Sequence, residues 1–276
     1  MDFDRRKFVR GAGAMLGAMG FAGAVGAQQG NEGRRPITRA EWDRIVRGAG
    51  SEGFTCVQAT PMDEGPFYYE SSLERRSLAE GRAGEPLRLT IALGGVPVDG
   101  RAGCLPLRGA VVDIWHTDAT GLYSNVGPDL QPVDTAAQTF MRGHQRTDDK
   151  GQVAFDTIVP GWEIVAAAPP LMVARRTTHI HVKAYHGRDV MTTQLFLPDA
   201  LLDDLYATTE PYKSHAMLTA PGLDRAYGRI RNKEDLFFTT SRATPMIVER
   251  KNGVLTATAT IGVISGGNRD IQSLFR

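Results

Sequence analysis

The chain has 276 residues, of which 42% are hydrophobic and 23% charged, and its formal net charge is +1. This apolar content is sufficient for a buried core, and the nearly balanced charge excludes a protein that binds nucleic acid through a broad basic surface. After the N-terminal segment, no hydrophobic run reaches the length that a membrane span needs, so no membrane partner is expected for the remaining chain.

Residues 1–27 differ in composition from the rest of the chain. They begin with the basic run Arg5-Arg6-Lys7 and continue as an uncharged stretch rich in Gly and Ala. The paired arginines resemble the twin-arginine export signal, and Val25-Gly26-Ala27 supplies the small residues that signal peptidases prefer. The stretch is also shorter than the ~20 apolar residues of a membrane anchor. We therefore predict a removable signal over residues 1–27 and a periplasmic or secreted protein.

Residues 28–50 are predicted to form a linker with a short helix over 40–46, where Thr38 has the residue type of an N-cap. One domain is predicted over residues 51–276. The chain contains two cysteines, Cys56 and Cys104. An oxidising compartment favours a disulfide between them, whereas two buried thiols are the alternative, and the sequence does not give the separation of their Cα atoms.

From residue 87 onward, apolar residues alternate with polar ones in several short runs, which is typical of β-strands. Asn252-Gly253 predicts a tight turn between the last two strands. A single further helix is predicted, over 201–208. Many strands joined by long loops indicate an all-β protein, a β-sandwich with long functional loops and a short N-terminal helical arm. The predicted strands cover residues 87–93, 110–115, 152–155, 179–185, 193–197, 246–250 and 254–261.

His179-Ile180-His181 is the most informative triplet of the sequence. Side chains alternate along a strand, so both imidazoles are expected on one face and Ile180 on the other. Two adjacent imidazoles can hold a metal ion, although an isolated pair of this kind is more often two surface or core histidines. The neighbouring motifs are therefore needed for the interpretation.

Four segments occur in an order that resembles the intradiol ring-cleavage dioxygenase family. Arg176-Thr177-Thr178-His179-Ile180-His181-Val182, with Gln194-Leu195-Phe196 after it, resembles the second half of that family's site. The run from Gly109 to Ser124, with Tyr123 near its end, resembles the first half. The other similar segments are Glu64-Gly65-Pro66-Phe67-Tyr68-Tyr69 and the stretch from Arg142 to Trp162, and the likeness runs from about Cys56 to about Leu197.

The resemblance implies a sandwich that carries non-haem Fe(III) on two tyrosines and two histidines. It further implies a catechol-like aromatic substrate that is cleaved with O₂ between its hydroxylated carbons, and often a homodimer. Tyr123, His179 and His181 match three of the four ligand positions, and anionic phenolate oxygen suits a hard ferric ion. By the same resemblance, Arg176 would stabilise charge near the reacting carbon and Gln194 would orient the ring or an oxygen intermediate, although a surface ion pair for Arg176 and a packing amide for Gln194 are the alternatives.

The sequence departs from the family pattern at one ligand. A tyrosine is expected after Pro160-Gly161-Trp162, but Glu163 stands there, and residues 164–174 look like an insertion. Glu163 is an anionic oxygen donor and a competent base, so it can replace the tyrosine as ligand, or it can be a solvated loop carboxylate. His116 and His144 are further candidates if the ligand set has been rebuilt.

Three functions remain open at this stage. The first is an exported intradiol-type dioxygenase with iron on Tyr123, His179, His181 and Glu163. The second is a protein that keeps the family's fold but only binds an aromatic ligand, without turnover. The third is an oxidase or peroxidase-like enzyme that oxidises a phenol with copper or another metal at the two histidines.

Overall fold

The computed structural model describes residues 59–70, 73–96, 104–163, 176–187, 189–215 and 229–264. The predicted signal over 1–27, the linker and helix of residues 28–50, Cys56 and the insertion at 164–174 lie outside these ranges. They remain predictions.

Nine strands form within the described residues, and each strand predicted from the sequence is present to within a few residues. The strand predicted at 193–197 begins at Asp189 instead, because residues 189–192 continue the antiparallel pairing with the preceding strand. The strands are β1 (Pro86–Val96), β2 (Leu105–Pro106), β3 (Val111–Trp115), β4 (Arg142–Arg146), β5 (Gln152–Ile158), β6 (His179–His186), β7 (Asp189–Phe196), β8 (Ile247–Lys251) and β9 (Val254–Ile264).

The strands make two sheets. In the first, β1 pairs in parallel with β9 on one side and antiparallel with β5 and β2 on the other, and β8 lies at the edge beside β9. In the second, the order is β4-β3-β6-β7 and all pairs are antiparallel. This arrangement confirms the predicted all-β sandwich.

Alternation of side chains along the strands gives the core its two inner faces. Leu87, Leu89 and Ile91 of β1 are buried in the same hydrophobic cluster as Ile180 and Val182 of β6. On β6, the residues that alternate with Ile180 and Val182 point the other way, so the two histidines lie on the outer face of the second sheet. That face is not solvated, because loops cover it.

The helices are short and lie at the ends of the strands. The predicted helix is present as α1 (Asp199–Thr208), followed by α2 (Tyr212–His215). The expectation of no further helix was wrong, because a 3-10 turn (Asn232–Glu234) leads into α3 (Leu236–Ser241). Asp235 accepts a hydrogen bond from the Phe238 N–H and so caps α3, which local hydrophobic periodicity over six residues cannot reveal.

The turn between β8 and β9 forms at Asn252-Gly253, as predicted, and both residues have positive φ, +50° and +83°. Cys104 is disulfide-bonded, which favours the bridged alternative over free thiols. No helix in the described part of the chain is both long and apolar enough to cross a membrane.

Candidate active site

Strand β6 brings His179 and His181 side by side on the outer face of the second sheet. Their Nε2 atoms are 2.9 Å apart, and both imidazoles are buried. Nδ1 of His179 is 2.7 Å from the carbonyl oxygen of Thr177, which only an N–H can satisfy, so the proton is assigned to Nδ1 and the lone pair to Nε2. This is the arrangement in which a second group orients an imidazole for a metal.

The ring of His181 is held by stacking. It lies against the Trp115 indole with a centroid distance of 4.7 Å and an interplanar angle of 6°. Nδ1 of His181 is buried and has no hydrogen-bond partner among the described residues. Burial, followed by the neighbouring charges, lowers the pKa of His179 to about 3 and that of His181 well below its ordinary value. Both rings are therefore neutral near pH 7, which is the form that coordinates metals.

Tyr123 reaches the same point from the loop that follows β3. Its hydroxyl oxygen is 3.3 Å from Nε2 of His181 and donates to Oε2 of Glu163 over 3.2 Å. The backbone on both sides of this tyrosine is fixed by Gln131, whose amide bonds the Tyr123 N–H and carbonyl. Burial and then the Glu163 charge raise the pKa of Tyr123 well above its ordinary value. A bound cation would reverse this preference by stabilising the phenolate.

Glu163 lies beside Tyr123 because two loops are tied together. The N–H of Gly161 donates to the carbonyl of Asp118 over 2.9 Å, and the Thr117 hydroxyl donates to the Gly161 carbonyl over 2.6 Å. Burial raises the pKa of the Glu163 carboxyl to about 7, although Arg176 and the Tyr123 hydroxyl oppose the rise. Glu163 is therefore a partly buried carboxylate in contact with Tyr123, and it can exchange a proton near neutral pH.

Arg176 and Gln194 lie together at the edge of this cluster. Nη2 of Arg176 donates to Oε1 of Gln194, while Nε2 of Gln194 donates to the carbonyl of Asp63 over 3.0 Å. Arg176 also forms an ion pair with Asp235 over 2.8 Å, and its guanidinium lies 4.1 Å from the centre of the Phe237 ring. Arg176 is thus not part of a surface ion pair, since the Asp235 side chain is fully buried.

Residues 59–70, here called the cover segment, run across the outer face of the second sheet. Phe67 stacks on the Tyr123 ring with a centroid distance of 4.5 Å. Glu64 forms a 2.8 Å ion pair with Lys183, two residues beyond His181 on β6. Tyr68 packs against Trp115, and Tyr69 lies over the Arg142 guanidinium. The cover segment therefore restricts access of water to the site.

The remaining sequence candidates lie outside the cluster. His116 is buried but is bonded to the Thr117 carbonyl and the Thr157 hydroxyl, over 2.7 and 2.9 Å. His144 lies on β4, opposite Asp113 of β3. The sequence reasoning also missed Asp235 and Phe237, which contact Arg176. The only local signal for them is an Asp at an N-cap position before a short run of Leu, Phe and Thr.

The donor atoms fit a metal ion that accepts phenolate oxygen. Among the described residues, no group of three or more His, Cys, Asp or Glu side chains is arranged to hold a metal. Glu163 thus does not form such a group with His179 and His181, and a site here depends on the Tyr123 oxygen, to which Glu163 is bonded, in addition to the two Nε2 atoms. The 2.9 Å separation of the two Nε2 atoms is short enough for both to bind one ion, since metal–nitrogen bonds are ~2.0–2.1 Å long.

Comparison with known proteins found a family model and a curated relative that match this chain. Residues 63–222 match the sequence model of a family described as Dioxygenase. The catechol 1,2-dioxygenase of Acinetobacter baylyi is 32% identical over 167 residues, which cover 55% of this chain and 51% of that protein. The chain thus spans about half the length of this curated relative.

Two solved structures are similar in fold. An intradiol ring-cleavage dioxygenase from Tetranychus urticae aligns with a TM-score of 0.61 at 23% identity, over 78% of this chain and 98% of that chain. The dioxygenase domain of a carbohydrate-binding fusion protein from Streptomyces sp. SirexAA-E aligns with a TM-score of 0.50 at 26% identity, over 75% and 99% of the two chains. The first similarity bears on the fold alone.

Proposed function

Because this chain belongs to the intradiol dioxygenase family, we propose that it cleaves a catechol-like aromatic between its two hydroxylated carbons at a non-haem Fe(III) site. In this reaction one ring C–C bond breaks and both atoms of O₂ enter the product, a muconate-type diacid. The electrons come from the ring, so no further reductant is required.

The observation that supports the proposal most is the convergence of three donor atoms. The Tyr123 hydroxyl lies 3.3 Å from Nε2 of His181, which lies 2.9 Å from Nε2 of His179. We propose that these residues hold the ferric ion, with the Glu163 carboxylate beside Tyr123 as the fourth donor. When bound, the ion would draw electron density from a chelated catechol so that a ring carbon can react with O₂.

The protein's own groups have separate tasks in this proposal. A catechol must lose protons to chelate a metal, and Oε2 of Glu163, which accepts a hydrogen bond from the Tyr123 hydroxyl, can accept one of them. Arg176 would place a fixed positive charge near the reacting carbon, and its Nη2 donates a hydrogen bond to Oε1 of Gln194. Phe67 packs over the Tyr123 ring and keeps water from the phenol oxygen.

The test is to measure metal content and the visible spectrum of purified protein, and then catechol consumption under air. We expect one iron per chain, a ferric-phenolate band that shifts when catechol is added, and muconate absorbance. Tyr123→Phe should abolish that band and lower turnover at least ~100-fold, because it removes the anionic donor. Tyr69→Phe, which removes a hydroxyl from the cover segment away from the donor atoms, is the matched control.

The other outcomes separate the rival functions. Iron-free protein with no oxygen uptake that still binds catechol would be an aromatic-binding protein without turnover. Copper in place of iron would favour an oxidase or peroxidase-like activity on phenols. Full turnover by Tyr123→Phe would remove that residue from the proposed ligand set.

A further inference from the structure

Resting on the function proposed above, we infer that Asp235 is a positioning residue that fixes the Arg176 guanidinium in the site and acts on the reaction through Arg176. Asp235 lies 59 residues after Arg176 in the chain. It belongs to the short C-terminal segment that joins the 3-10 turn to α3.

The contacts of Arg176 carry the first step of the inference. Its Nε donates to Oδ2 of Asp235 over 2.8 Å, and the Asp235 side chain is 0% exposed against 13% for Arg176. Phe237 covers one face of the guanidinium, and Gln194 accepts from Nη2. An arginine side chain has several rotatable bonds, and a buried charge-assisted contact at Nε fixes the plane of its guanidinium.

The same Asp235 carboxylate also holds the segment on which Arg176 and His179 lie. Oδ2 of Asp235 also accepts from the Thr177 N–H over 2.8 Å, and Thr177 in turn accepts from Nδ1 of His179 through its carbonyl. Oδ1 accepts from the Phe238 N–H over 2.9 Å. Asp235 therefore joins the start of α3 to the residues immediately before the histidine pair.

The electrostatics agree with an ionised carboxylate. Burial raises the pKa of Asp235, but Arg176 and the N–H donors of Phe238 and Thr177 outweigh it and hold the pKa below its ordinary value. An amide at this position would keep the shape but lose the charge that Arg176 requires. The expected defect is therefore a misplaced Arg176 in a folded protein.

A double-mutant cycle tests whether Asp235 acts through Arg176. We expect Asp235→Asn to lower kcat roughly 10- to 100-fold and to change KM for catechol much less, the range seen when groups that orient site residues are lost. Arg176→Gln should lower kcat further. The double variant should be no slower than Arg176→Gln alone, since the two changes affect one interaction.

Asp203→Asn is the matched control. Asp203 on α1 pairs with Arg229 and Arg231, so it anchors the start of the same C-terminal segment with the same charge but without touching Arg176. Its kcat should stay within ~2-fold of the wild type, because Arg229 keeps its 2.8 Å ion pair with Asp199 and Arg176 is not touched. An equal loss in both variants, or effects of Asp235→Asn and Arg176→Gln that multiply, would overturn the inference.

A measurement on metal-free protein separates this inference from the proposed function. Phenylglyoxal modifies accessible, mobile guanidinium groups, and peptide mapping gives the rate at Arg176. We expect this rate to rise at least ~5-fold in Asp235→Asn but not in Asp203→Asn, since only the first frees the buried guanidinium. An unchanged rate at Arg176 in Asp235→Asn would exclude the positioning role even if the enzyme is active. A wild-type protein without iron or turnover would count against the proposed function alone.

Discussion

Glu163 occupies the position at which the family resemblance predicts a tyrosine, and its surroundings determine the effect of this replacement. It accepts a hydrogen bond from the Tyr123 hydroxyl over 3.2 Å, and burial raises its carboxyl pKa to about 7. A buried tyrosine would titrate far above neutral pH, as Tyr123 does. The replacement of tyrosine by glutamate therefore places a group that can accept a proton near pH 7 beside the Tyr123 phenol oxygen.

Glu163→Gln tests this residue by the pH dependence of turnover. Burial raises the pKa of the carboxyl to about 7 and a bound ferric ion would lower it, so wild-type kcat should rise with pH up to about 7, as the carboxylate becomes free to accept a proton. The glutamine variant should lose this rising limb, and its kcat should fall roughly 100- to 1,000-fold, because an amide accepts no proton. Glu163→Asp, which keeps a carboxyl, should retain the limb. An unchanged limb in the glutamine variant would assign it to another group.

Iron content measured on the same variants separates the two roles of Glu163. If the carboxylate only moves a proton, Glu163→Gln should bind as much iron as the wild type. If it is also a ligand, iron retention should fall along with kcat. Unchanged iron would remove Glu163 from the proposed ligand set and leave it as a proton acceptor, whereas a loss of iron would support it as the fourth donor.

At the scale of the elements, the turn Pro160-Gly161-Trp162 sets the position of Glu163 relative to Tyr123. A Cβ on Gly161 would clash with the Ala119 carbonyl oxygen and would lie 2.9 Å from the Gly121 nitrogen. Both are backbone atoms of the loop that carries Tyr123, so they cannot give way as a flexible side chain would. Only glycine permits this approach of the two loops.

We expect Gly161→Ala to lower the free energy of unfolding by about 1–3 kcal/mol, the usual cost of overpacking, and to reduce kcat because the two loops must separate. Thermal or urea unfolding and steady-state kinetics measure the two effects. Gly127→Ala is the control in a neighbouring loop, since a Cβ there meets nothing within 4 Å. Equal behaviour of the two variants would show that the close approach at Gly161 is unimportant.

At the scale of the whole molecule, Cys104, which immediately precedes β2, is disulfide-bonded. Cys104→Ser should lower the free energy of unfolding by about 4 kcal/mol, because the unfolded chain regains the freedom of a long loop. Denaturant unfolding of variant and wild type measures this difference. Wild-type protein unfolded in a reductant should match the variant, and a variant as stable as the oxidised wild type would contradict the expectation.

The sequence by itself determined the sandwich class, its strands and the face on which the two histidines lie. Alternation is a local property, so the spacing of His179 and His181 already fixes that their imidazoles share one side of β6. The turn at Asn252-Gly253 follows equally from local chemistry. The family resemblance supplied Tyr123, Arg176 and Gln194, and the tertiary structure brings these residues to the same region as the histidines.

Only the tertiary structure decided which groups surround those residues. The contact of Glu163 with Tyr123 depends on two loops that meet through Gly161, and the ion pair of Arg176 joins it to Asp235, 59 residues away. The helix that Asp235 caps was not predicted, because its six residues show no clear apolar period. Long-range contacts of this kind depend on how the loops pack, and no local pattern in the sequence encodes that packing.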